Sequence, residues 1–369
     1  MKRIYTIIAG ALLPLAISAA TPGYIDASAN HIDMNGADWS PLKGHLDKLA
    51  GGRDTVVRVL HIGDSHIQAE FVTNELRRLL QERYGNAGRG LISPLRLAGT
   101  NQPVDYTVTA SPGTQFRQTR LLKLPWPVRP GVTGIAAEPQ SDTRLTWKTT
   151  LPGHDIRKAR IITGKTMEMR EFDTPVDSMD IAVQAGNPVF GAILENGRPG
   201  LLYSAIGNNG ATYNDYLLVD GFAEQTRVFA PALIILSMGT NEAFSYMTDA
   251  EIEKSVRTLI GRLRDFNPDA AMLMLTPMEC QKNRNHGQRP LSPYYDILER
   301  NAEIAAIIRR VGSVLGVPVW DFYAVAGGHG SSDKWLGDKL MNKDRIHLLR
   351  PGYELEAKLL YDALLEQLD

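Results

Sequence analysis

Residues 232–238 carry no charged side chain, and within them Leu233-Ile234-Ile235-Leu236 stand in a row. A run so short and so apolar has no polar face to turn to water. It reads as a strand covered on both sides, the habit of parallel sheets flanked by helices. Residues 56–62 form a second run, β-branched, apolar apart from Arg58 and His61, and stopped by Gly63, and strands are also expected at 201–206, 271–275 and 317–322. Between them the apolar spacing turns helical. Leu76, Leu79 and Leu80 share a face in 73–84, and Ile252, Val256, Leu259, Ile260 and Leu263 share one in 249–266. Helices are also expected at 213–224, 294–315 and 351–368. Five buried strands alternating with helices predict a three-layer α/β/α domain around a parallel sheet.

The alternation is interrupted. Over residues 94–199 the chain shows short period-2 runs, such as Arg144-Leu145-Thr146-Trp147-Lys148-Thr149, separated by Gly and Pro turns. No long helical period appears there, which predicts an inserted β-sandwich. Residues 21–93 and 200–369 then form one α/β domain, with 94–199 inserted after its first helix. Residues 21–53 read as an irregular lead-in and 85–90 as a loop.

Residues 1–20, MKRIYTIIAGALLPLAISAA, join a basic start to an apolar run and end in Ser18-Ala19-Ala20. This is the pattern of an export signal cleaved after Ala20. It predicts an exported, periplasmic protein with no membrane span after cleavage. The formal net charge of −1 provides no basic field to hold nucleic acid. The single cysteine, Cys280, excludes an internal disulfide framework and a cysteine-based zinc cluster.

In open parallel sheets ligands bind beyond the carboxyl ends of the strands. The segments just after each strand are therefore the places to look for chemistry. Gly63-Asp64-Ser65-His66 comes after the first strand, Gly207-Asn208-Asn209-Gly210-Ala211-Thr212 after the second, and Gly239-Thr240-Asn241-Glu242 after the third. Asp344-Arg345-Ile346-His347 precedes the last helix. A hydroxyl, backbone N–H donors near glycine, a carboxamide and an Asp/His pair meet at one edge, and these are the parts of a serine esterase.

The four segments resemble the blocks of the SGNH (GDSL-type) hydrolases, with His66 where commoner members carry Leu and Glu242 replacing the usual Asp. The resemblance implies a flavodoxin-like sheet, Ser65 as nucleophile, and His347 as base oriented by Asp344. It also implies an oxyanion hole of the Ser65 and Gly210 N–H groups and the Asn241 amide, with no cofactor or metal. A narrower resemblance joins Gly63-Asp64-Ser65-His66, Phe71-Val72-Thr73-Asn74-Glu75-Leu76-Arg77, the Gly85–Gly90 turn and Gly239-Thr240-Asn241-Glu242-Ala243-Phe244. These are similar to the Gram-negative peptidoglycan O-acetylesterases, which also carry an inserted β-sandwich. That likeness implies removal of acetyl from the 6-hydroxyl of N-acetylmuramic acid. Deacetylation of another polysaccharide such as xylan, acetyl transfer to a sugar, and a non-catalytic glycan-binding role remain alternatives.

Other residues invite sharper readings that their context weakens. His61, Asp64 and His66 flank the nucleophile turn without three-ligand metal spacing. Gly164-Lys165-Thr166 lacks the first glycine of a phosphate loop, since Ala159 stands there. Trp147 and Tyr106 are candidate sugar platforms, but they alternate as core-facing strand residues do. Cys280 reads as a buried, inert thiol.

Overall fold

The computed structural model describes residues 21–53, 55–285, 290 and 292–369. The export signal expected over 1–20 lies outside them. Five strands run parallel in the order Val319–Trp320, Ala271–Leu275, Leu233–Ser237, Val56–Gly63, Gly200–Gly207. Val56–Gly63 lies between two partners, with Val57 opposite Leu201 and Val59 opposite Leu233.

The apolar runs are explained by what covers them. Val57 and Val59 pack toward the helices Ser40–Ala50, Phe71–Tyr84 and Arg350–Leu368, while Leu60 and Ile62 pack toward Asp249–Phe266 and Arg300–Leu315. Each such side chain, fully buried, contributes roughly 1.5–3 kcal/mol. The domain is the expected three-layer α/β/α sandwich.

Several local expectations are corrected. The lead-in is not irregular: Ile32–Asp33 adds an antiparallel edge strand beside Val319–Trp320, and Ser40–Ala50 is a helix burying Leu42 and Leu46. The helix expected over 213–224 divides into Tyr213–Leu217 and Phe222–Gln225, because Gly221 takes a left-handed conformation at φ 65°. The helix expected from 294 starts at Arg300, since Tyr295–Ile297 pairs instead with Gln281–Asn283. The last parallel strand is only Val319–Trp320, because Asp321 caps the short helix Phe322–Val325.

The β-rich region forms two antiparallel sheets. One holds Ser178–Val183, Thr143–Thr149 and Tyr106–Ala110. The other runs Phe116–Arg120, Ile135–Pro139, Val189–Glu195, Ile156–Thr163, Met167–Val176. Gly90–Ile92, expected outside the insertion, also pairs with Val189–Glu195. Trp147 and Tyr106 sit in the core between the sheets with Leu145, Ile161 and Ile181.

Two devices fasten this sandwich to the α/β domain. The Glu70 carboxylate, just past Ser65–Gln68, pairs with Arg89 (2.6 Å) and Arg77 (3.0 Å), and Arg89 pairs with Asp105 (2.6 Å) at the root of the sandwich. All four side chains are buried. In addition, Asn208 Nδ2 donates to Thr133 O (3.0 Å) and to the Tyr216 hydroxyl (3.1 Å).

Candidate active site

Ser65 opens a single helical turn, Ser65–Gln68, that lies across the ends of Val56–Gly63 and Gly200–Gly207. The approach is so close that a Cβ on Gly207 would collide with the backbone of Gln68, and one on Gly63 with Ile67. Asp64 caps the turn through Oδ1, which accepts from His66 N at 2.9 Å. As the first residue of a helical turn, Ser65 has no intrahelical acceptor for its own N–H.

Ser65 Oγ lies 2.8 Å from His347 Nε2, and His347 Nδ1 lies 2.9 Å from Asp344 Oδ2. Asp344 and His347 are presented by a tight turn rather than a helix. Arg345 between them adopts φ 59°, and Asp344 Oδ1 accepts from the N–H groups of Ile346 and His347, both at 2.9 Å. Arg345 pins the turn from outside, stacking over Tyr295 at 4.7 Å and donating to Gln281 Oε1. Burial pushes the Asp344 carboxyl up, but the His347 ring and the two N–H donors more than offset it and hold it below its ordinary range. The hydrogen bond that His347 donates to Asp344 raises the His347 pKa against the effect of burial, and the charges of Asp344 and Asp64 add to this.

Gly210 and Asn241 stand beside the Ser65–Gln68 turn. Gly210 has φ 84°, and a Cβ there would meet Leu122 Cδ1 of the β-rich module at 2.6 Å. Its neighbours' N–H groups are taken up, Asn209 N by Gln68 Oε1 (2.8 Å) and Ala211 N by Asn208 O (3.0 Å). Asn241 Nδ2 donates to Asp64 Oδ2 (3.1 Å) and Ala211 O (3.0 Å), so both amide hydrogens are engaged in this arrangement.

The remaining candidates are buried around this centre. His61 Nδ1 meets the Tyr203 hydroxyl at 2.7 Å, and His66 Nδ1 meets the Tyr353 hydroxyl at 3.0 Å. Burial lowers the His66 pKa to about 3, so a neutral ring backs the His347 ring at 5.2 Å. Burial raises Asp64 to about 7 and Glu242 to about 8. Glu242 Oε1 accepts from Tyr213 N at 2.7 Å, tying the third block to the helix after the second. The Cys280 thiol is pushed up to about 12 by burial and donates to Asn301 Oδ1. Gln68, Leu122 and Tyr353 were not expected at the site from the sequence. None lies in a recognisable motif, and each reaches the site through the fold.

An ester hydrolase is the class of protein that this fold and site define. Residues 180–355 match the model of the GDSL-like lipase/acylhydrolase family. The matched span starts within the sandwich and holds Gly210, Asn241, Asp344 and His347. No curated protein matches the sequence. Among solved structures, a peptidoglycan O-acetylesterase at 23% identity covers 91% of this chain and 99% of that one, with a TM-score of 0.73. The fold is therefore shared across the α/β domain and its insertion. A lipase/acylhydrolase from Enterococcus faecalis (21% identity, 46% of this chain, 77% of that one, TM-score 0.34) overlaps less of it. So does an acetyl xylan esterase (16% identity, 44% and 81%, TM-score 0.35).

Proposed function

We propose that the protein is a serine O-acetylesterase that removes acetyl from the 6-hydroxyl of N-acetylmuramic acid residues of peptidoglycan, acting in the periplasm. The observation that carries this reading is the line Ser65 Oγ–His347 Nε2 (2.8 Å), His347 Nδ1–Asp344 Oδ2 (2.9 Å). The likeness in fold to a peptidoglycan O-acetylesterase, insertion included, supports the substrate.

In this reading His347 takes the Ser65 proton as Oγ attacks the acetyl carbonyl, and Asp344 stabilises the imidazolium that forms. The N–H groups of Ser65 and Gly210 receive the oxyanion. Asn241 joins them by turning one amide hydrogen from Ala211 O. His347 then protonates the departing sugar oxygen, and water, activated by the same imidazole, releases acetate from Ser65.

The test is acetate release by the purified enzyme from O-acetylated peptidoglycan and from acetylated xylan. We expect faster release from peptidoglycan. Ser65→Ala should lower kcat by at least roughly 10³-fold on both polymers and on a small acetyl ester, because no acyl-enzyme forms. Preference for xylan would overturn the substrate, and a Ser65→Ala enzyme with near-normal turnover would overturn the mechanism.

A further inference from the structure

A contact between the sandwich and a sugar chain rests on the reading of the substrate as an acetylated glycan. Both aromatic residues that the sequence offered as sugar platforms, Trp147 and Tyr106, are fully buried. A different aromatic faces a cleft. The connection between Phe116–Arg120 and Ile135–Pro139 reads Leu121-Leu122-Lys123-Leu124-Pro125-Trp126-Pro127-Val128-Arg129-Pro130. Its three prolines restrict the backbone. Leu122 and Leu124 are 39% and 62% exposed, an apolar pair left open to water. Leu122 is also the side chain that covers Gly210.

Four residues further on, Trp126 lines a cleft of about 570 Å³ shared by the sandwich and the α/β domain. That volume lies within the range of roughly 300–1,000 Å³ typical of small-molecule sites. Val128, Pro188 and Phe190 supply apolar wall, while Arg129 from the sandwich and Asp220 from the α/β domain meet across the seam at 2.5 Å. The indole is fixed by its Nε1 donating to Leu121 O at 3.0 Å.

We propose that Trp126, Arg129 and Asp220 form a saccharide subsite for sugars flanking the acetylated residue, with Leu122 as the bridge from the reacting acetyl to that subsite. The flat indole and the proline walls suit the apolar C–H face of a pyranose. The carboxylate accepts from ring hydroxyls and the guanidinium donates to them. Four residues span at most roughly 14 Å, so a glycan whose acetyl group lies at Ser65 and Gly210 runs past Leu122 into the cleft. Prolines and the Nε1 bond hold the platform in place before binding, which lowers the entropy cost of ordering it.

The test compares kcat/KM for an O-acetylated oligosaccharide with that for p-nitrophenyl acetate, which is too small to fill the cleft. The oligosaccharide is whichever of a peptidoglycan fragment or an acetylated xylo-oligosaccharide the wild-type enzyme deacetylates faster. In Trp126→Ala and in Arg129→Ala the ratio should fall at least about fivefold, through KM for the oligosaccharide, since remote contacts are lost without touching the reacting atoms. Trp126→Phe, which keeps a flat face, should recover most of it. A poorly folded Trp126→Ala would lower both rates together and leave the ratio alone, and the exposed Arg129→Ala then decides the matter. A wild-type preference for the oligosaccharide that survives both alanine variants overturns the subsite alone. A wild-type enzyme with no such preference overturns the glycan reading and the subsite with it.

Discussion

The imidazole of His347 feels two carboxylates, Asp344 on its Nδ1 and Asp64 beside Ser65, and both favour its charged form. Its pKa is therefore raised above the ordinary value near 6.5. In the proposed mechanism only the neutral ring accepts the Ser65 proton, so kcat/KM for a small acetyl ester should rise with pH through that raised pKa and be lost below it. Asp344→Asn removes the largest contribution, the hydrogen bond to Nδ1. The acid limb should then move to lower pH while kcat falls on the order of 10³–10⁴-fold, because the wrong tautomer is held. A pH–rate profile in which the limb does not move would remove Asp344 from the orienting role. The neighbouring His66 ring, kept neutral by burial and held by Tyr353, gives the imidazolium an uncharged back wall, as an aliphatic side chain at this position would.

At the scale of elements, two carboxylates join parts of the chain that are distant in sequence. Glu242 binds the N–H of Tyr213, and burial raises its pKa to about 8. The unfolded chain loses this proton near 4.5, so between about 4.5 and 8 the native state binds more protons and stability falls as pH rises. Glu242→Gln should flatten that part of a denaturation-midpoint-against-pH curve; an unchanged slope would place the dependence elsewhere. Asp105 pairs with Arg89 at the root of the sandwich. Asp105→Ala leaves a buried guanidinium with one partner fewer and should cost about 3–5 kcal/mol in urea unfolding. A loss under about 1 kcal/mol would mean that Glu70 alone satisfies both arginines. Whether an element is legible in the sequence depends on where its determinants lie. The strands at Val56–Gly63 and Leu233–Ser237 are legible because burial on both faces keeps each run rich in β-branched and aliphatic residues, with Arg58 and His61 the exceptions in the first. The blocks around Ser65, Gly210 and Asn241 are legible because they come directly after such strands, and the Asp344/His347 pair because it stands just before the last helix. Tyr295–Ile297 and Leu122 are not, since a partner strand decides the first and a contact across the module seam decides the second. Edge strand Ile32–Asp33 is two residues long and leaves no period to read.

For the molecule as a whole, the proposal of export has a direct check. N-terminal sequencing of the protein recovered from the periplasm should begin at Thr21, and material beginning at Met1 would contradict cleavage after Ala20. Among the described residues no helix is long and apolar enough to cross a membrane. The central strand Val56–Gly63 has both its partners, Gly200–Gly207 and Leu233–Ser237, on the far side of the sandwich in the chain. During synthesis it therefore emerges long before anything can pair with it, and the sandwich can fold first, as sequential units do. Ser65 is made early and His347 almost last. A chain built in this order gains the Ser65–His347 contact only when its synthesis is almost complete, and a chain cut short before His347 lacks that contact altogether.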